Sequence, residues 1–234
     1  DPRDEPNPEA LQRIKATRDP DILRLHDFGT GVNKYQHKYC FEICEFAAGG
    51  DLLVKRDYTP DFIRKMIIPQ IFKGIKTLHA HKIFHCDLKP GNIFWLNANQ
   101  TDLVIGDYGS AKTFEETSEK QLTHTSTTKG TNFYPAPEQP RGIVSEKNDY
   151  YSFGMILLHL LYPQFVNRES LHKIIERQYE RKPIIDYHPN YQEFNELIAG
   201  LTLENVSSRW GEKQLEQWLR GEKVQIGYAT DADI

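Results

Sequence analysis

Cysteine is scarce in this chain, and so are the features that would mark a secreted or membrane-bound protein. The three thiols, Cys40, Cys44 and Cys86, are an odd set at unpatterned spacing. That argues against a disulfide framework and for a reducing compartment, cytoplasmic or nuclear. Long hydrophobic runs are also missing. The longest, FGMILLHLLY at 153–162, is too short to cross a bilayer and reads as a buried helix. Neither sign of charge is in large excess, since 29 Lys and Arg against 33 Asp and Glu give −4 over 234 residues. Such a balance offers nothing to nucleic acid or to an anionic membrane, so neither is expected as a partner. The start, DPRDEPNPEA, is acidic and proline-rich and does not read as a signal peptide; with no Met at position 1, a trimmed, soluble chain is expected.

What is present is globular in character, with 38% apolar and 12% aromatic residues, enough for a sizeable core. Residues 8–19, PEALQRIKATRD, have helical composition, with Pro8 placed to start the helix and Pro20 to stop it. ILRLHDFGTG and KYCFEICEF read as an antiparallel strand pair turning around Gly29–Lys34. Cys40 and Cys44 lie on one side of the second strand and are expected in the core. After Gly49 and Gly50 the apolar spacing over 59–82 is helical, with Pro69 a mark against an undisturbed helix. Short strands are expected at IFW and LVIGD, a polar Ser/Thr-rich loop at 113–131, and helices at 147–162, 168–180, 190–203 and 212–220. The class is α+β.

Chemistry concentrates in IFHCDLKPGNIFW, residues 83–95. Asp87, Lys89 and Asn92 place a carboxylate, an ammonium and a carboxamide within six residues. Phosphoryl transfer needs a carboxylate to orient and deprotonate a hydroxyl, a cation near the phosphoryl group and oxygen ligands for Mg²⁺. Fifteen residues past Asn92, Asp107-Tyr108-Gly109 ends an apolar run and supplies a second metal-binding carboxylate. A capped polar turn is the plain alternative for Asp87 with Asn92. A zinc cluster of His79, His81, His85 and Cys86 matches no standard ligand spacing.

Together with GTNFYPAPE at 130–138 and NDYYSFG at 148–154, these motifs stand in an order that resembles the eukaryotic-type serine/threonine protein kinase family. The resemblance runs over roughly residues 20–220 and is strongest from 79 to 155. It implies a kinase-like fold: a reduced, β-containing small lobe and hinge at 1–48 and a helical large lobe at 49–234. By that likeness Asp87 is the catalytic base, Lys89 steadies the γ-phosphoryl group, and Asn92 and Asp107 hold Mg²⁺. Thr131 contacts the base and lines the hydroxyl pocket. For ATP, Cys44 takes the gatekeeper slot, backbone groups of Glu45 and Ala47 meet adenine, Asp51 reaches the ribose and Phe94 forms the floor. Glu138 with Arg209, Asp149 and His85 carry over as scaffold. The implied partner is a protein substrate of unassigned identity; oligomeric state is not indicated.

The sequence departs from the family upstream of Pro20, where there is no G-x-G-x-x-G loop and no strand bearing the V-A-I-K lysine. Glu9 is the available match to the acid that pairs with that lysine, and Lys15, Lys34 and Lys38 are the nearby substitute cations. Cys86 replaces the arginine that reads a phosphate on the activation loop, which weighs against control by phosphorylation at 117–128. Two activities compete on these grounds: a serine/threonine kinase, and a pseudokinase binding or scaffold module. A small-molecule phosphotransferase fits less well, because GTNFYPAPE belongs to a protein-substrate platform.

Overall fold

The computed structural model describes residues 5–54, 57–114, 133–165, 173–174, 177, 184 and 191–227. Helix α1, Pro8–Ala16, starts where Asn7 accepts the N–H groups of Glu9 and Ala10 on its side-chain oxygen, and it buries Ala10, Leu11 and Ile14. An N-cap of this kind satisfies donors that no helical carbonyl can reach. Strands β1, Leu25–Val32, and β2, Lys38–Cys44, form an antiparallel hairpin. The turn lies later than the sequence suggests. Asn33 organises it, accepting the N–H groups of Tyr35 and His37 on Oδ1, and Gln36 takes a positive φ of 64°.

The expected helix over 59–82 is divided. Thr59 caps a short turn, Pro60–Phe62; a π-helical turn follows at Ile63–Ile67, and α2 proper runs Ile68–Ala80. Pro69 accounts for the interruption: it has no N–H to donate, and its ring would crowd the carbonyl of Lys65 in a regular helix. The wider π turn relieves that contact, and α2 then proceeds with Ile68, Ile71, Phe72, Ile75 and Leu78 in the core.

Between α2 and the helices that follow lie two small antiparallel pairs. Strand β3, Ile83–Phe84, pairs with β6, Lys112–Thr113, and β4, Ile93–Trp95, pairs with β5, Leu103–Ile105. The central helix α3, Glu146–Leu161, is capped by Ser145 and buries an unbroken run from Asn148 to Leu158. Helix α4, Gln192–Leu201, packs on it, and α5, Glu212–Leu219, brings Leu215 and Trp218 to the same core. Gly200 is required at the end of α4, because a Cβ there would land on the indole ring of Trp210. Among the described residues a single apolar cluster runs from Ala10 of α1 to Trp218 of α5.

The expected burial of the strand cysteines also changes. Cys40 is exposed and Cys44 is only partly buried. A two-stranded hairpin has one covered stretch, at the end nearest Tyr108, and Cys40 lies beyond it. The helix expected at 168–180 falls mostly outside the described residues, as do Thr131 and most of the Ser/Thr-rich loop. No helix among the described residues is long and apolar enough to cross a membrane.

Candidate active site

The segment from β3 to β4 forms the site loop, and Asp149 of α3 holds it from beneath. Burial on its own pushes the Asp149 carboxyl up, but the bond from His79 and the N–H groups around it more than offset that and bring it below the usual carboxylate range. Its Oδ2 accepts the His85 N–H and meets His79 Nε2, both at 2.9 Å, and its Oδ1 accepts the Cys86 N–H at 3.0 Å. The loop is thereby pinned at the two residues before Asp87. Cys86 has a left-handed φ of 65°, and its carbonyl accepts Gln139 Nε2 at 2.5 Å.

His85 is fully buried and links the two halves of the site. Its Nδ1 accepts the Asp87 N–H at 3.3 Å, and its Nε2 lies 3.0 Å from the Gly106 carbonyl. A carbonyl can only accept, so this pattern puts the ring hydrogen on Nε2. Both ring nitrogens are committed, and His85 is therefore not a metal ligand. Among the described residues no group of three or more His, Cys, Asp or Glu side chains could hold a metal ion.

At the loop's centre, Lys89 Nζ donates to Asp87 Oδ2 at 2.5 Å. Asn92 Nδ2 donates to the Asp87 carbonyl at 2.9 Å and to Asp87 Oδ2 at 3.2 Å. With its amino group turned to Asp87, Asn92 presents its amide oxygen as the remaining acceptor. The N–H of Gly106 donates to the Asn92 carbonyl at 2.9 Å, and the residue after Gly106 is Asp107. The antiparallel β4–β5 register, with Ile93 opposite Ile105, thus brings the two expected metal ligands to one end of a short ribbon. A carboxylate and an amide oxygen are the hard donors that Mg²⁺ takes, so the residues present fit that ion.

Among the residues expected around a nucleotide, the Asp51 carboxylate accepts the Leu53 N–H at 2.8 Å, and Asp51 bridges to Phe94 of β4. Glu45 donates its N–H to the Arg24 carbonyl at 2.9 Å, and the Ala47 carbonyl accepts the Gly50 N–H at 3.3 Å. Burial first, then the nearby charges of Glu42 and Asp107, push the Cys44 thiol up to about 11. Cys44 is therefore a neutral side chain facing an acidic corner.

The upstream match does not reach the site. Glu9 is paired with Arg13 one helical turn on, at 2.5 Å, and is well exposed. Lys15 bonds Asp27 of β1 at 2.7 Å, and Lys34 lies over the Tyr35 ring at the hairpin turn. The structure puts Glu42 beside Asp107: its Oε2 accepts the Tyr108 N–H at 3.2 Å. Burial, and then the charge of Asp107, raise the Glu42 carboxyl although that bond opposes them. Sequence reasoning passed over Glu42. The signal was an acid in the apolar strand YCFEIC, two residues from Cys44 and so on its face.

Away from the reacting groups, Arg209 and Glu138 form a bidentate pair at 2.6 and 2.9 Å. Asn148 also donates to Glu138 Oε1, while further Arg209 N–H groups reach the carbonyls of Leu203, Lys147 and Glu204. The pair ties the residues leading into α3 to those leading into α5.

The model of the protein kinase domain matches residues 8–219, and the chain belongs to that family. It is 30% identical over 164 residues to the serine/threonine-protein kinase ULK3 of Rattus norvegicus, covering 68% of this chain and 33% of the relative. To calcium-dependent protein kinase 4 of Plasmodium berghei it is 32% identical over 158 residues, covering 64% and 28%. A similar stretch, 29% identical over 144 residues and 60% of this chain, matches the serine/threonine-protein kinase drp72 of Corynebacterium efficiens. The chain spans about a third of the length of the first of these curated relatives. Its α+β architecture is that of a protein kinase.

Proposed function

We propose that the chain is a serine/threonine protein kinase that transfers the γ-phosphoryl group of ATP to a protein hydroxyl. One observation carries this reading: Asp87, Lys89 and Asn92 are joined by hydrogen bonds in a single loop, and Gly106 is bonded to Asn92 so that Asp107 adjoins it. Asp87 would accept the proton of the attacking hydroxyl as its oxygen bonds phosphorus and the bond from phosphorus to the bridging oxygen of ADP breaks. Lys89, already on Asp87 Oδ2, lies where it can follow the transferring phosphoryl group. Asn92 and Asp107 would hold Mg²⁺, which when bound neutralises phosphate oxygens. The Glu45 carbonyl and the Ala47 N–H are the backbone groups left to meet adenine, with Cys44, Asp51 and Phe94 around the nucleotide. Thr131 would complete the hydroxyl pocket. The free thiols fit a reducing compartment.

A second reading, a pseudokinase binding or scaffold module with weak or no catalysis, is favoured by one observation. The charges that act on Cys44 and Glu42 are those of acids, and two of the expected substitute cations are engaged elsewhere, Lys15 with Asp27 and Lys34 over the Tyr35 ring. The test is transfer of labelled γ-phosphate to a generic serine/threonine substrate and to the chain itself, in wild type and D87N, alongside the thermal shift given by ATP with Mg²⁺. Transfer that D87N abolishes supports the kinase. Stabilisation without transfer from either protein supports a scaffold that holds nucleotide, and the absence of both signals removes the kinase reading.

A further inference from the structure

The turn Asp107-Tyr108-Gly109 is held on every side. Asp107 has a φ of 62°, a left-handed conformation that few non-glycine residues adopt and that persists where the surroundings over-determine it. Before it, Gly106 donates its N–H to Asn92 and accepts His85 Nε2 on its carbonyl. After it, the Tyr108 ring is fully buried, and its hydroxyl lies 2.7 Å from the carbonyls of both Leu23 and Ile105, donating to one at a time. The N–H of Tyr108 goes to Glu42, the one of these holds that comes from the hairpin. Gly109 leaves room for this: a Cβ there would sit 3.7 Å from Asp107 Oδ1 and 3.8 Å from Glu42 Oε1, so both carboxylates border the same gap.

We infer that Glu42 is a positioning residue for Asp107: reaching from β2, its carboxylate accepts the Tyr108 N–H and holds the left-handed turn in which Asp107 follows directly on the Gly106–Asn92 hydrogen bond. The inference deepens the kinase reading, because it matters to catalysis only if Asp107 is a metal ligand. Its physical content is an intramolecular clamp. Glu42 hydrogen-bonds the hairpin to the turn, so a displacement of β2 is transmitted to Asp107 without any modification of the turn itself.

The test is amide hydrogen exchange read residue by residue by NMR on the full chain, in wild type, E42Q and E42L. The Gln amide oxygen can still accept the Tyr108 N–H, and Leu cannot. A lost hydrogen bond to a charged acceptor converts to roughly tenfold or more in local opening. The expected result is therefore exchange at Tyr108 and Gly109 at least about tenfold faster in E42L, little changed in E42Q, and unaltered in α3. Unchanged exchange at Tyr108 in E42L, or acceleration spread evenly over the chain, overturns the inference. So does a wild-type Tyr108 amide that exchanges at the unprotected rate, a result that needs no variant to fold. As a second readout, the Mg²⁺ concentration needed for half of the ATP-dependent thermal shift should rise severalfold in E42L. If wild type shows no such shift, the nucleotide reading fails, while the exchange data still decide the role of Glu42.

Discussion

Along β2, Tyr39, Phe41 and Ile43 are 50%, 37% and 51% exposed, whereas Tyr151, Phe153 and Met155 at the same spacing on α3 are 3%, 0% and 0% exposed. The side chains are of similar kind, and their surroundings differ completely. Helix α3 is enclosed on all sides and owes its place to the area it removes from water. The hairpin is two strands with an open outer face, and it is joined to the rest by the directional contacts of Glu42 to Tyr108 and Lys15 to Asp27 and by Leu25, Phe28 and Cys44 at its base. Helix α3 is therefore expected to govern stability, and the hairpin to govern position.

Breaking the buried pair behind α3 should have the largest effect. Arg209 and Glu138 have side chains 0% and 7% exposed, so R209M strands a carboxylate in the interior. A loss of about 3–5 kcal/mol is expected in denaturant unfolding. D149N comes next, at about 2–3 kcal/mol at neutral pH, because an amide cannot serve all the donors that converge on Asp149. That variant also carries a pH signature. The Asp149 carboxyl lies below its ordinary value of 3.8 in the fold, so its contribution is complete above that value and fades as pH falls past it toward the folded value. Wild type should thus lose thermal stability on acidification more steeply than D149N over that interval. G200A overpacks the contact with Trp210 and should cost about 1–3 kcal/mol. At the other extreme, F46S replaces a ring that is 84% exposed at the foot of the hairpin, and its change should stay within about 0.5 kcal/mol. A large loss in F46S would show that something covers the hairpin in solution and would collapse the contrast.

Much of the site was legible because its residues are close in sequence. Asp87, Lys89 and Asn92 meet within one loop, and an apolar strand ending in Asp107 needs only a short ribbon to reach them. The hairpin followed from its alternation. What was not legible depends on contacts between distant segments. Glu42 is sixty-six residues from the N–H it accepts, and period-two alternation says which face it occupies, not what faces it. The exposure of Cys40 has the same origin, since an apolar strand looks alike whether or not a second layer covers it. Tyr108 is likewise anchored through its hydroxyl, within reach of a carbonyl eighty-five residues away. The π turn before Pro69 was half visible: proline announces a disturbance, and only the packing of Ile63 and Ile67 decides how it is absorbed.

The left-handed backbone at Asp107 also determines which substitution can probe its role. Asparagine visits that region readily, so D107N removes the charge and leaves the chain path intact. Alanine removes the carboxylate and at the same time imposes a backbone penalty of about 1–2 kcal/mol on the turn. An activity lost in D107A but retained in D107N would reveal a requirement for the shape of the turn, whereas loss in both, with Tyr108 still protected in D107N, isolates the carboxylate. The pair of variants thus separates a ligand from the curve of chain that carries it.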